Sequence, residues 1–250
     1  MPDARSSERL LNERNHMKTI RLDSRLACVA SLVKKCDCVI DVGTDHAYLP
    51  VFLVENRVCE SAFACDVKKG PLENAKETVK NYGLEDKIET VLSDGLDSVQ
   101  PMKNCCVVLA GMGGILISEL LMRAGWLCDE SVQIVVQPMS HAEYVRRFLY
   151  ENGFEITEEK TAADGKHVYL ALSAVYTGKR TEYTEAKLYY GKLLENRDET
   201  TARYLRRQYE RLKKRYDAIG MDERYKDESL VLKAILDELN ERGRNFDADR

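Results

Sequence analysis

The sequence predicts an α/β protein with a parallel sheet, a closing antiparallel hairpin and a helical appendage, and three observations carry that expectation. Short apolar, β-rich runs alternate with helical patterns from about Cys36 to Tyr176, as βαβ units do. After Gly153 the alternation gives way to two strand-like runs, FEITEEKTA and HVYLALSAVY, around an Asp164-Gly165 turn, the pattern of a hairpin. From Lys179 onward strand patterning disappears, and charged segments with helical periodicity replace it.

The elements follow in order. RLDSRLACVASLVKK spaces Leu22, Leu26, Val29 and Val33 along one helix face, with Asp23 or Ser24 available near its start, and this helix is expected on the sheet edge. CDCVIDVG reads as the first strand and YLPVFLVENR as its helix; SAFACDV and PLENAKETVKNYG form the second unit and KIETVLSD a third strand. NCCVVLAG with ILISELLMRAG, and SVQIVVQP with HAEYVRRFLYENG, complete the series, His141 opening the last helix. Five such units followed by an antiparallel pair is the order of a Rossmann-like class I methyltransferase sheet, whereas a dinucleotide dehydrogenase more often continues with parallel units. In the tail, Leu205, Tyr209, Leu212, Tyr216 and Ile219 alternate four and three residues apart, and Gly220 breaks the run. Leu232, Ile235, Leu236 and Leu239 form a second stripe before Gly243, so the tail is expected to be an antiparallel helical, coiled-coil hairpin. The organisation expected is a ligand-binding domain over 1–177 and a helical domain over 178–250.

Composition narrows the class. With 250 residues, 44% of them hydrophobic, the chain has room for one full α/β domain plus a smaller appendage. It contains no apolar run long enough to span a bilayer, and its first twenty residues, MPDARSSERLLNERNHMKTI, carry acids and no apolar signal core. A cytosolic protein without a membrane partner is expected. The eight cysteines form no CxxC pair and sit mostly in apolar runs, which predicts reduced, mostly buried thiols and no metal. HExxH, nucleophile-elbow, P-loop and zinc-deaminase motifs are missing. The net charge of −4 decides nothing about a polyanionic partner, but Arg203, Arg206, Arg207, Arg211, Lys213, Lys214 and Arg215 fall within thirteen residues with Glu210 as the only acid. That run reads either as a solvated helix face or as a phosphate-contacting arm.

The candidate site gathers at strand ends. Gly43 permits a tight turn ahead of a helix starting near Ala47. In Gly43-Thr44-Asp45-His46-Ala47-Tyr48 the second glycine of a GxGxxG fingerprint is replaced by Asp45, which would repel a pyrophosphate but suits a cation such as S-adenosylmethionine, with its sulfonium and ammonium groups. Asp45 could instead cap the next helix, and His46 could orient Asp45, face a substrate or be structural. Asp66, ending the second strand, could accept from both ribose hydroxyls or cap the helix before Pro71. Asp94-Gly95-Leu96 could hold an adenine or be only a turn. Ala110-Gly111-Met112-Gly113-Gly114 reads as a second glycine-rich bend after the fourth strand, on the rim where open α/β sheets bind ligands. Gln137-Pro138 closes the fifth strand on that rim, as a base-edge contact or a simple turn.

VIDVGTDHAYLP, CDVKKGPLENA, LSDGL, LAGMGGILI and VVQP, in this order and followed by a charged helical tail, resemble the bacterial tRNA (adenine22-N1)-methyltransferase family, TrmK, from about Arg21 to the C-terminus. The resemblance implies S-adenosylmethionine as cofactor, tRNA as partner, and a coiled-coil domain that helps to hold the tRNA. It implies cofactor contacts from Asp41, Gly43, Thr44, Asp45, His46, Tyr48 and Leu49, a ribose acceptor at Asp66, an adenine subsite at Asp94 and Gly95 with Leu96, and further cofactor contacts at Val67, Ala110 and Gly111, the last also on the rim where the target base should enter. Met112, Gly113, Gly114, Gln137 and Pro138 fall where the target base should enter, and Arg203, Arg206, Arg207 and Arg211 where tRNA should be held. Met139 departs from the family pattern, which has asparagine after Gln-Pro. The implied reaction is direct methyl transfer to N1, on the Watson-Crick edge, so the base must be unpaired or extruded. Asp45 would either stabilise the charge developing on the ring or serve the cofactor alone, leaving catalysis to proximity. Two further readings remain: an S-adenosylmethionine enzyme acting on another nucleic acid or a small molecule, with the tail for oligomerisation, and a non-catalytic RNA-binding module. The charge spacing of the tail permits a monomer.

Overall fold

The computed structural model describes residues 20–196, 198–220 and 226–247, the last helix with its side chains at 229–238 and 241. Its centre is one seven-stranded sheet of order β3-β2-β1-β4-β5-β7-β6, built from β1 (Cys38–Val42), β2 (Ser61–Asp66), β3 (Ile88–Leu92), β4 (Cys105–Gly113), β5 (Gln133–Ser140), β6 (Phe154–Asp164) and β7 (His167–Tyr176). The first five are parallel, and β7 runs antiparallel between β5 and β6. The predominantly apolar runs of β1, β4 and β5 follow from burial on both faces. Successive residues serve opposite cores: Val39 and Val108 point to one, Ile40 and Val107 to the other.

Helices α2 (Tyr48–Glu55), α3 (Lys69–Asn81), α4 (Gly114–Arg123) and α5 (Ala142–Glu151) follow β1, β2, β4 and β5. Before them, α1 (Ser24–Ala30) is capped by Asp23, whose carboxylate accepts from the Leu26 N–H at 2.7 Å. This helix stops short of the expected length, and Leu32 and Val33 are buried from the turn that follows. It packs against β5, β7 and β6, the last being the sheet's edge. β1 leads on to β2 on one side while β4 begins the other, so the strand order reverses between β1 and β4, the place where open α/β sheets bind ligands.

One expectation changes. The glycine-rich segment is not a bend after β4: the strand continues through Gly113, with register shifts between Ala110 and Met112 and between Met112 and Gly113. Met112 lies opposite Pro138 and Gly113 opposite Ser140, so the glycines serve bulges that re-aim the strand end.

In the tail, α6 (Lys187–Tyr190) and a 3-10 turn (Leu193–Glu195) lead into α7 (Glu199–Ile219), which Asp198 caps through the Thr201 N–H at 2.9 Å and hydroxyl at 2.7 Å. Gly220 (φ +59) ends α7, as the sequence predicts. The following helix α8 (Lys226–Asp247) runs through Gly243, where the sequence reading ended it; one interior glycine costs only about 1 kcal/mol. Leu212, Leu232, Ile235 and Leu236 share a core with Tyr190, while the Leu239 side chain falls outside the described residues.

A buried ion pair joins this tail to the sheet. Arg146 of α5 and Glu159 of β6, both 0% exposed, meet at 2.7 Å. Arg146 also donates to the Leu188 carbonyl at 2.6 Å, and the second Glu159 oxygen accepts from the Lys192 N–H at 2.7 Å. Gly191 passes so close that a Cβ there would lie 2.1 Å from the Glu159 carboxylate. A lone buried charge is far costlier than a paired one, so Glu159→Ala should destabilise by about 3–5 kcal/mol in chemical denaturation, and Arg146→Met/Glu159→Leu by less than that single variant.

Candidate active site

The first loop is shaped by backbone and by Thr44. The N–H groups of Gly43 (φ +79) and Thr44 both donate to the Cys65 carbonyl at 2.8 Å, and the Thr44 hydroxyl accepts from the Ala47 N–H at 3.2 Å. Ala47, in a left-handed conformation, is the N-cap of α2. Asp45 therefore does not cap the helix. Its side chain is 74% exposed and lies 3.4 Å from His46 Nε2, and the His46 ring stacks on Tyr48 at 5.1 Å. Leu49 is buried in the core beneath. Asp41 is enclosed within β1; burial pushes its carboxyl up to about 6, against the opposing pull of a Thr44 hydrogen bond and the Arg25 charge.

On the neighbouring strands, Asp66 uses one carboxylate oxygen to accept from the Lys68 N–H at 2.7 Å, a turn into α3, and Val67 beside it is exposed. The Asp94 carboxylate is gripped by Arg123, at 3.1 Å and 3.3 Å, and the same guanidinium donates to the Asp94 carbonyl at 3.0 Å and meets Asp97 at 3.4 Å. Gly95 (φ +61) is pressed by Leu120, whose methyl would lie 2.6 Å from a Cβ, and Leu96 is buried. Arg123 had gone unnoticed in the sequence; its only signal is a lone cation in the last turn of an apolar helix.

The rim is braced by Gln137. Its side chain is fully enclosed, and its amide oxygen accepts from the Gly111 N–H at 3.1 Å and from Arg25 at 3.0 Å. Its amide nitrogen donates to the Pro138 carbonyl at 3.3 Å and faces the Met139 sulfur at 3.5 Å. Pro138 is buried, Met139 exposed and Ala110 half-buried. Met112 reaches across to the first loop, its methyl 2.4 Å from where a Gly43 Cβ would sit. Gly114, the first residue of α4, is held by the His141 carbonyl, 2.1 Å from its would-be Cβ, and Gly113 faces the Ser140 hydroxyl. Arg25 was also missed: it lies in α1, 112 positions from Gln137, and no local pattern marks it.

Three tail arginines are engaged with the β6–β7 hairpin and α5. Arg203 donates to the Gly165 carbonyl at 3.1 Å and Arg207 to that of Lys166, both at the tip of the β6–β7 hairpin. Arg211 donates to Glu143 of α5 at 3.3 Å. Arg206 is exposed. The structure thus brings Asp41, Asp45, Asp66, the glycine-rich bulge and Arg25 to one edge of the sheet, while Gln137 and Gly114 support that edge from within. A carboxylate beside a guanidinium, with further carboxylates at the neighbouring strand ends, suits a ligand carrying a cation, a diol and a carboxylate together. Among the described residues no three His, Cys, Asp or Glu side chains are placed to hold a metal, and no helix is long and apolar enough to cross a membrane. All eight cysteines are free thiols.

Comparison with known proteins supplies the family. A family model described as a methyltransferase domain matches residues 22–172. The chain is 29% identical over 178 residues to a tRNA (adenine(22)-N(1))-methyltransferase of Bacillus subtilis, covering 71% of this chain and 75% of that one. It superposes on the crystal structure of the B. subtilis M1A22 tRNA methyltransferase TrmK with a TM-score of 0.80 at 26% identity, over 89% of this chain and 99% of the other. TrmK of M. capricolum, solved with S-adenosyl-homocysteine, gives 0.73 at 25% identity over 94% and 100%. The chain belongs to the methyltransferase-domain family and, within it, to the TrmK family of tRNA (adenine22-N1)-methyltransferases.

Proposed function

We propose that this chain transfers a methyl group from S-adenosylmethionine to N1 of adenine 22 in tRNA. The observation that carries the reading is the placing of Asp41 within reach of both Arg25 and Asp66, with Asp45 on the loop that follows, at the strand-order reversal of a methyltransferase-family sheet. The B. subtilis relative's named activity on adenine 22 supports the substrate, and an enzyme of tRNA belongs in the cytoplasm. We divide the chain into a cofactor-binding domain, 1–177, and a helical, coiled-coil domain that contacts tRNA, 178–250. We read it as a monomer, because the apolar stripes of α7 and α8 bury each other within one chain.

When bound, the cofactor supplies a methyl group on a cationic sulfur. Asp41 offers negative charge to its cationic end and Arg25 a partner for its carboxylate. The free oxygen of Asp66 is available to the ribose, and Asp94, Gly95 and Leu96 form the adenine subsite. The lone pair of adenine N1 needs no general base, and the methylated ring is cationic. A carboxylate near that ring stabilises the charge as it develops, and the exposed Asp45 at the loop mouth is assigned this role. Met112, Gly113 and Pro138 border the entry of the base; Arg206, exposed on α7, is assigned to tRNA phosphate.

Primer-extension arrest on tRNA incubated with the protein and S-adenosylmethionine tests the function directly: a stop at adenine 22 is expected, and cofactor binding without any methylated tRNA would refute it. Asp45→Asn should lower kcat about a hundredfold at saturating cofactor while leaving cofactor affinity within about threefold; a loss confined to affinity would return Asp45 to the cofactor. A cationic ligand favours ionised Asp41, whose carboxyl titrates at about 6. Cofactor affinity measured by calorimetry should therefore weaken by up to about tenfold per pH unit below 6, and Asp41→Asn should remove that dependence. In the free protein the sign is opposite. Asp41 titrates higher folded than unfolded, so its contribution to stability declines as pH rises from about 4 toward 6.

A further inference from the structure

Between the end of β5 and α7 lies a cleft of about 390 Å³, within the range that holds a small ligand and large enough for one nucleotide. Met139 and Ser140, ending β5, and His141, heading α5, line one side; Arg207 and Arg211 of α7 line the other, with Val168 of β7 between them. The cleft adjoins the rim where the target base enters, since Ser140 pairs with Gly113 across β4 and β5 and the His141 carbonyl packs on Gly114. Glu143, whose side chain is 13% exposed, ties the two walls together: one oxygen accepts from Arg211 at 3.3 Å and the other lies 3.2 Å from His141 Nδ1. Two guanidinium groups against one carboxylate leave the cleft net positive. Arg207 and Arg211 each use one nitrogen in the bonds described, to Lys166 and Glu143, out of five N–H donors apiece.

An extruded base leaves neighbours that have lost a stacking partner, and unstacking must be offset by contacts to them. An apolar surface flanked by cations is what an unpaired nucleotide requires, base on the first and phosphate on the second. We propose that this cleft receives the tRNA nucleotide adjacent to the target adenine, its base against Met139 and Val168 and its phosphate on Arg207 and Arg211. The assignment rests on the reading of the chain as a tRNA methyltransferase. It separates Arg207 and Arg211, which hold one defined nucleotide, from Arg206, which meets the tRNA backbone at large.

The test pairs a filled cleft with a missing base. Gln208, which lines the same cleft, is replaced in Gln208→Trp, and each nucleotide flanking the target adenine is made abasic in turn. For the unaltered protein, kcat/KM should fall about tenfold with one of the two abasic tRNAs. Gln208→Trp should lose a similar factor on intact tRNA and nothing more on that abasic one. Losses that multiply at both positions, or a variant that methylates intact tRNA at the full rate, would overturn the proposal. Calorimetric affinity for S-adenosylmethionine equal to that of the unaltered protein shows that the variant is folded, and Ser140→Tyr, filling the cleft from the opposite wall, must reproduce the pattern. Should the unaltered protein bind S-adenosylmethionine yet methylate no tRNA, the functional reading itself fails, and the cleft assignment falls with it.

Discussion

A carboxylate enclosed in the central strand is the constraint around which the rest of the molecule is arranged. Asp41 hydrogen-bonds through its backbone into a strand flanked on both sides and buried along its length. Its side chain has almost no access to water, and burial is the largest influence on its proton affinity. An isolated charge in such a place is expensive unless other groups answer it. Thr44 and Arg25 supply that answer, and each has a second task. Thr44 receives the N–H that begins α2, and Arg25 shares with Gly111 the amide oxygen of Gln137. One electrostatic problem in β1 is thus solved by groups that also fix the first loop, the position of α1 and the bulged end of β4.

The tail is held to this frame by different physics. Arg146 and Glu159 form an ion pair without solvent access, bonded further to the backbone at Leu188 and Lys192. Such a pair adds little net stability compared with an apolar one, but it tolerates few alternative arrangements because any misplacement strands a charge. Its geometry also demands glycine at 191. Leu188, Leu193 and Tyr204 then continue the core of the sheet into the tail, so α7 starts from a fixed base and its arginines reach the hairpin tip and α5 at defined points.

Much of the architecture was legible in the sequence because two-sided burial writes itself as apolar runs, and the hairpin and both tail helices were equally plain. The misreadings have local causes. The AGMGG segment looked like a loop because glycine is common in both bends and bulges, and only the register with β5 separates the two. Gly243 looked like a terminator, although a glycine ends a helix only where packing no longer rewards continuation. At the candidate site, the positions of Asp41, Asp66 and Gly43 at strand ends were legible because each closes an apolar run. Arg25 and Arg123 were not, since each acts on residues far off in sequence. Gln137 was read as a base-edge contact or a simple turn, and its complete enclosure depends on partners from α1 and β4 that no linear pattern reveals.

The order in which the strands are joined bears on how the chain assembles itself. β6 is synthesised before β7, yet β7 is the strand that lies between β5 and β6. Until β7 has formed, β6 has no place in the sheet, and β5 presents an unpaired edge of the kind that invites association with other chains. The hairpin connection shortens this interval, because β6 and β7 can pair with each other and dock together as one local unit. The next long helix to be made is α7, whose Arg203 and Arg207 bond the turn of that same hairpin and whose Thr201 hydroxyl meets Thr161 of β6. The segment proposed to hold RNA in the finished enzyme is thus also the clasp on the hairpin that covers the open edge of β5.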